Sequence, residues 1–347
     1  MKACLFRRHG PPEVMEWTEV PDPSPGPGQV LIRVLACGVN HFELRNRSPQ
    51  GEGRVALPRI PGADVAGEIV GVAPDVRLEE WGLTPGRLVV VHPGLGCGRC
   101  PACRRGKDNR CPDYRIFGWH LDGGAAELLA CPVENVLPAP AGLFPEEAAA
   151  FPLTFLTAWH MLARRARLEG GERVLVTGAT GGVGTAALQI ACALGARVMA
   201  ATTRPEREEE LRALGAEEVV SPLDPAFEER VRKWSGGEGC DVVVDHVGGK
   251  IFPLLPGILR RGGRIVTCGS TGGSEAQLNL RELYRRQISI LGSFMGTKGD
   301  MLAVLSLLEA RRIRPVISRV FPAQEIALAH RHVEGREHLG KVVLRLA

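Results

Sequence analysis

Apolar and polar positions follow two regimes along this chain. From Lys2 to Val91 the apolar runs are short and β-type, among them Val30 to Ala36, Val65 to Val72 and Leu88 to Val91. Turn-rich pieces such as PDPSPGPG at Pro21 to Gly28 separate them, and the spacing predicts a small irregular β domain that continues to about Val136. The longest apolar segment, Ala148 to Ala163, is too short to span a bilayer and contains Pro152, so it predicts a buried helix over Phe151 to Ala163. Beyond it, strand-length apolar runs at Val174 to Val176, Val198 to Ala201, Glu218 to Val220, Val242 to Val244, Arg264 to Thr267 and Ile288 to Phe294 alternate with helix-length stretches. Crossovers of that length join parallel strands, so this half predicts a doubly wound α/β fold with a six-stranded parallel sheet. Two further helices, Met301 to Leu308 and Gln324 to Val333, and a strand at Val342 to Leu346 follow a sheet that is already complete. That tail is expected to return to the first domain, giving boundaries of 1–155, 156–294 and 295–347.

Within the second regime, RVLVTGATGGVGTAALQIACALGARVMAATTR at Arg173 to Arg204 runs strand, glycine-rich turn, helix, strand. A pyrophosphate needs backbone N–H groups and the positive end of a helix, and only small residues let it come close. Ala179, Gly181, Gly182, Val183 and Gly184 form an AxGxxG turn, with Ala179 where a glycine is commonest. The motif is weak alone, but its strand–turn–helix context points to a dinucleotide. A glycine-rich hairpin is the competing reading, and the helical composition of Thr185 to Leu194 opposes it. Ligands of such sheets sit at the carboxyl ends of the strands, which adds Asp245, Gly248 and Gly249, and Cys268, Gly269 and Ser270, as lining candidates. Ordinary turn chemistry is the alternative for each of these.

Length and charge narrow the reading further. At 347 residues the chain exceeds what one hydrophobic core usually supports. A net charge of +4, with no basic tract interleaved with aromatics, gives no reason to expect nucleic acid as the main partner. Met1 to Gly10 lacks a secretory apolar region, so a cytoplasmic protein with reduced cysteines, and no membrane partner, is expected.

Four of the ten cysteines stand together: Cys97, Cys100, Cys103 and Cys111, spaced C-x2-C-x2-C-x7-C. Four thiolates so close can surround one tetrahedral Zn²⁺ at about 2.3 Å and leave no position open for water, which reads as a structural zinc site. A disulfide pair and an iron–sulfur cluster are the rivals, and a reducing compartment opposes the first. The adjacent Arg104, Arg105, Lys107 and Arg110 favour the deprotonated, metal-bound thiols.

The glycine-rich unit, the cysteine loop, ACGVNHFE at Ala36 to Glu43, RIPGADVAGEIVGV at Arg59 to Val72 and GGRIVTCGS at Gly262 to Ser270 together resemble the medium-chain dehydrogenase/reductase superfamily. The resemblance spans essentially the whole chain. It implies a GroES-like β domain, a Rossmann domain, a tail that rejoins the first domain, and an active site in the cleft between domains. Zinc alcohol dehydrogenases of that superfamily hold a second, catalytic zinc. The positions matching its ligands are Asn40, Ala63 and Leu153, none a thiolate or imidazole. Asn40 resembles instead the zinc-independent quinone oxidoreductases. Without zinc to stabilise an alkoxide, alcohol oxidation loses its main aid, whereas a quinone or enone accepts hydride into a delocalised charge. The expected activity is therefore NAD(P)H-dependent reduction of an activated carbonyl. An NAD(P)-dependent alcohol dehydrogenase is the alternative, and a non-catalytic NADPH-binding or nucleic-acid-interacting protein another.

The resemblance makes Asn40 the first substrate-facing donor, His41 a donor or proton relay, Asp64 their orienting partner, and Thr157 a residue near the nicotinamide. A structural hydrogen-bonding role is the plain alternative for each. The end of the second strand, where an acid commonly holds the NAD ribose, carries Thr202, Thr203 and Arg204, which can hydrogen-bond a 2′-phosphate. NADP(H) is thus preferred over NAD(H). SILGSF, an apolar last strand at the sheet edge, invites a homodimer or homotetramer.

Overall fold

The computed structural model describes residues 1–49 and 55–346. The chain divides into two compact units: Met1–Leu153 with Thr297–Glu309 and the residues from Pro315 on, and Thr154–Gly296 with Ala310–Arg314.

The second unit is built on the strand Arg173–Val176, whose valines and leucine are buried. Strand order across its sheet is Glu218–Val220, Arg197–Ala201, Arg173–Val176, Cys240–Asp245, Leu259–Thr267, Ser289–Gly292, and every pair is parallel. Helices cover both faces, so the inner strands read as continuous Val, Ile, Leu and Met rather than as an alternation. The order reverses between Arg173–Val176 and Cys240–Asp245. Beyond their carboxyl ends lies the switch point of the sheet, the place where doubly wound sheets bind ligands.

After the turn, Gly182–Ala193 is a helix because Thr185 to Ala193 supplies good helix formers, and Gly195, at φ 84°, ends it in the left-handed conformation. The predicted helix over Phe151 to Ala163 is α-helical only over Pro152–Trp159 and continues as a π-helix over His160–Ala166. A widened turn rotates the buried face away from the 3.6-residue period, so periodicity does not reveal it. The strand Leu259–Thr267 starts before the predicted Arg264, because Leu259 pairs with Cys240 and the polar RRGG stretch, with Gly262 at φ 72°, bulges out before pairing resumes at Arg264.

In the first unit a seven-stranded sheet centres on Gln29–Val39, where alternate residues Val30, Ile32 and Val34 are buried. Asp64–Val72 and Leu128–Pro132 pair antiparallel with it, and so does Lys341–Arg345 from the far end of the chain. Ile317–Pro322 lies parallel to Lys341–Arg345. The helix Ile326–Glu334 buries Ile326, Ala329 and Val333 in the apolar cluster beneath Cys37, Val39 and Val342. Full burial of the Ile326 and Val333 side chains contributes about 1.5–3 kcal/mol each. Among the described residues no helix is long and apolar enough to cross a membrane.

Candidate functional site

The glycine turn sits at the carboxyl end of Arg173–Val176. Gly178 takes φ 56°, and Gly181 leads into the helix as its N-cap. A Cβ on Gly184 would stand 2.3 Å from the Gly178 carbonyl oxygen, so glycine there lets the helix pack on the turn. Ala179 is buried and donates its N–H to the Ala201 carbonyl, which ties the turn to the neighbouring strand. Gly182, Val183 and Gly184 open the helix, and their N–H groups belong to the set that no helix satisfies internally. A cradle of small residues around helix-start donors fits a dinucleotide pyrophosphate.

Asp245 is buried, and its carboxylate is occupied by the loop it anchors. It accepts Thr177 Oγ1 at 2.7 Å, the Gly248 N–H at 3.1 Å and the Val247 N–H at 3.3 Å. This is turn chemistry, and it fixes His246 between two anchored neighbours. The His246 ring lies against the glycine turn, where a Cβ on Gly178 would approach its Cε1 to 2.9 Å and its Nε2 to 3.0 Å. Gly269 packs on the His246 backbone, and Cys268 beside it is kept a thiol by burial and Asp245, which push its pKa up to about 12. Ser270 follows in that loop, where its carbonyl accepts the Gly273 N–H. Thr157 is buried in the helix Pro152–Trp159. Thr202 is also buried, and its hydroxyl accepts the Arg204 N–H at 3.1 Å, whereas Thr203 is exposed and Arg204 lies 3.6 Å from Glu206.

The first unit buries a polar quartet at the end of Gln29–Val39. Asn40, 4 % exposed, donates Nδ2 to Asp64 Oδ2 at 2.9 Å and accepts from Lys341 Nζ at 2.6 Å. Lys341 Nζ also donates to Asp64 Oδ2 and to the Val39 carbonyl, both at 2.8 Å. Asp64 Oδ1 accepts the Leu153 N–H at 2.6 Å. Asn40 thus precedes the helix His41–Arg47 without capping it with its side chain. The second Nδ2 hydrogen reaches only the Gly38 carbonyl and Glu43 Oε1, each at 3.4 Å. Burial pushes Glu43 up to about 8, against the Lys341 charge, so it is largely protonated at neutral pH. His41 is half-buried at the start of the helix, and Ala63 is buried. Lys341 and Glu43 were missed in the sequence. Lys341 lies 301 residues from Asn40, and its only local signal is a cation at the start of an apolar strand.

Cys97, Cys100, Cys103 and Cys111 converge so that their sulfurs all lie within 4.8 Å of one another, and none is in a disulfide. Backbone N–H groups of Cys97, Cys100 and Cys103 donate to the sulfurs of Cys111, Cys97 and Cys100 at 3.3–3.4 Å. The N–H groups of Arg99 and Cys100 pull the Cys97 thiol down to about 6, whereas burial pushes Cys103 up to about 12 and Cys111 upward. This donor set fits a structural Zn²⁺ with no open position. Among the described residues it is the only grouping of three or more His, Cys, Asp or Glu ligand atoms so close together. Arg104, Arg105, Lys107 and Arg110 are exposed around it.

Comparison with known proteins matches residues 26–141 to the alcohol dehydrogenase GroES-like domain and residues 182–310 to the zinc-binding dehydrogenase family. The chain is 33% identical to an acryloyl-coenzyme A reductase of Metallosphaera sedula, covering 99% of each. It is 30% identical to a quinone oxidoreductase of Pongo abelii, covering 100% of this chain and 98% of that protein. The crystal structure of an NAD-dependent alcohol dehydrogenase superposes with a TM-score of 0.96 at 41% identity over the whole of both chains.

Proposed function

The chain belongs to the medium-chain dehydrogenase/reductase family and is an oxidoreductase, and from that premise we propose that it reduces an activated carbonyl acceptor, a quinone or an enone, with NADPH and without a catalytic metal. The observation that carries this reading is the composition of the quartet. Where a metal-dependent dehydrogenase needs thiolate and imidazole, this chain has Asn40 and Ala63, and the nearest charged groups are Lys341 and Asp64, already bonded to each other.

The dinucleotide, when bound, supplies hydride. Asn40 holds its amide in one orientation through Asp64 and Lys341, which leaves the weakly engaged second Nδ2 hydrogen for the substrate oxygen. Lys341 fixes a positive charge beside that oxygen, favouring the enolate or hydroquinone anion as it develops. His41, partly exposed, passes a solvent proton to the reduced acceptor. Exposed Thr203 and half-buried Arg204, at the end of Arg197–Ala201, provide a hydroxyl and a guanidinium for a 2′-phosphate, which would compete with Glu206 for the Arg204 charge. The relatives named acryloyl-coenzyme A reductase and quinone oxidoreductase carry acceptors of this kind in their names, which supports the reading. A homodimer built by pairing the edge strand Ser289–Gly292 accompanies this reading, to be checked by sedimentation.

The second reading, alcohol oxidation with NAD, is favoured by the similarity to the NAD-dependent alcohol dehydrogenase structure. Purified protein assayed with NADPH against quinones and enones, and with NAD against primary and secondary alcohols, separates the two. Faster alcohol oxidation that chelator abolishes, with two zinc ions per chain, would sink the activated-acceptor proposal.

A further inference from the structure

The four-cysteine lobe is joined to the start of a distant helix, Lys298–Glu309, by a buried polar junction. That helix belongs to the first unit, yet the chain enters it from Gly296 and leaves it to Ala310, both of the second. Its start is only partly capped from within. Thr297 Oγ1 accepts the Asp300 N–H at 3.1 Å, and Asp300 Oδ2 accepts the Thr297 N–H at 3.0 Å. This reciprocal pair leaves the Lys298 N–H to be satisfied from elsewhere. Asp108, 190 residues away, accepts it through Oδ1 at 3.3 Å and sets a negative charge at the positive end of the helix. Lys298 Nζ reaches Glu134 Oε1 at 3.1 Å, and the next residue, Asn135, donates Nδ2 to the His92 and Gly94 carbonyls at 2.9 and 2.8 Å.

Asp108 is placed in turn by the cysteines. It lies between Cys103 and Cys111 in a single helical turn, Asp108–Arg110, and its carbonyl accepts the Cys111 N–H at 2.9 Å. Its Cβ packs on Gly96, where a Cβ would meet Cys103 Sγ at 2.8 Å and Asp108 Cβ at 3.2 Å. The side chain is buried, and its Oδ2 has, among the described residues, no hydrogen-bond partner. A carboxylate held this way is costly to the lobe alone, so what it serves is the helix end it meets. It keeps that place only while the four sulfurs stay together, and four thiolates stay together only around a cation.

We propose that metal binding in the cysteine lobe orders the helix Lys298–Glu309 through Asp108, so that the filled lobe restrains the stretch of the first unit that interrupts the second. Amide hydrogen exchange on the full-length protein, zinc-loaded and stripped with a chelator, reads the opening of each helix without turnover. Stripping is expected to speed exchange over 298–309 by about tenfold and to leave Ile326–Glu334, a helix of the same unit outside the junction, unchanged. Asp108→Ala is expected to speed the same stretch with one zinc still bound, and Asp108→Asn, which keeps an acceptor, to speed it less. Leu302→Gly, at a helix position 55% exposed, is expected by reciprocity to weaken zinc binding about threefold in competition with a chromogenic chelator. That is the measurement to read if the stripped protein does not stay folded. Unchanged exchange over 298–309 on stripping overturns the proposal, and so does an equal rise over Ile326–Glu334, which marks general loosening. Zinc-loaded Asp108→Ala exchanging like the parent, or Leu302→Gly holding zinc as tightly as the parent, also overturns it.

Discussion

Lys341 carries more of the first unit than its place on a surface-length strand suggests. Its ammonium is 4% exposed, and its three donors are spent on Val39, Asn40 and Asp64. A buried ion pair is costly to form and more costly to break, because removing one member strands the other. Lys341→Met is therefore expected to lower unfolding stability by about 3–5 kcal/mol, and Asp64→Asn combined with it to recover most of that loss. Denaturant unfolding of the singles and the double checks this. Additive losses would mean that the two side chains do not act as a pair.

At the scale of elements, the glycine turn separates two demands that the motif merges. Gly184 is required by the fold, since a Cβ would meet the Gly178 carbonyl at 2.3 Å, whereas at Gly181 the nearest atom is 3.4 Å away. Gly184→Ala is thus expected to lower the melting temperature. Gly181→Ala is expected to leave it within a degree or two while weakening NADPH binding by roughly tenfold or more, as a methyl group fills the space for pyrophosphate. Thermal melts paired with NADPH titration distinguish the two. The six strands and this turn were legible because they are local: Val, Ile and Leu runs with glycine punctuation encode them within a few residues. The π-helix His160–Ala166 and the glycine-bulged start of Leu259–Thr267 were not, since both depend on what packs against them. Asn40, His41 and Asp64 could be named from short stretches that match a family. Lys341 and Glu43 could not, because their significance comes from burial beside residues far away in the chain.

Over the whole molecule, two buried ionisable groups pull stability in opposite directions with pH. Glu43, raised from 4.5 to about 8, holds its proton in the fold after the unfolded chain has lost it, so stability falls as pH rises from 4.5 to 8. His330, lowered from 6.5 to about 3 by burial and Arg47, stays neutral while the unfolded chain takes up a proton, so stability falls as pH drops from 6.5 to 3. Each contributes a slope of about 1.4 kcal/mol per pH unit, and where both act the slopes cancel. Urea midpoints should therefore show a plateau between pH 4.5 and 6.5 with a fall on either side. Glu43→Gln should flatten the alkaline side and His330→Phe the acid side; a variant that leaves its own side unchanged contradicts the assignment. Elemental analysis should find one zinc per chain at the four cysteines, and its removal by a strong chelator should lower the melting temperature by several degrees.

The pairing of Asn40 with Lys341 also sets an order of events during synthesis. Between making the first and the last member of the quartet, 301 residues must be added, about 15–60 s at ~5–20 residues per second. The whole of Thr154–Gly296 is made in that interval, so the unit begun second has all its strands before the unit begun first. Until Lys341–Arg345 arrives, the edge of Gln29–Val39 that it will cover is an open ladder, and Asp64 has no cation. The time of greatest exposure to mispairing therefore falls early in the life of the chain, and it ends when a strand that begins 301 residues beyond Asn40 closes over the one where the sheet began.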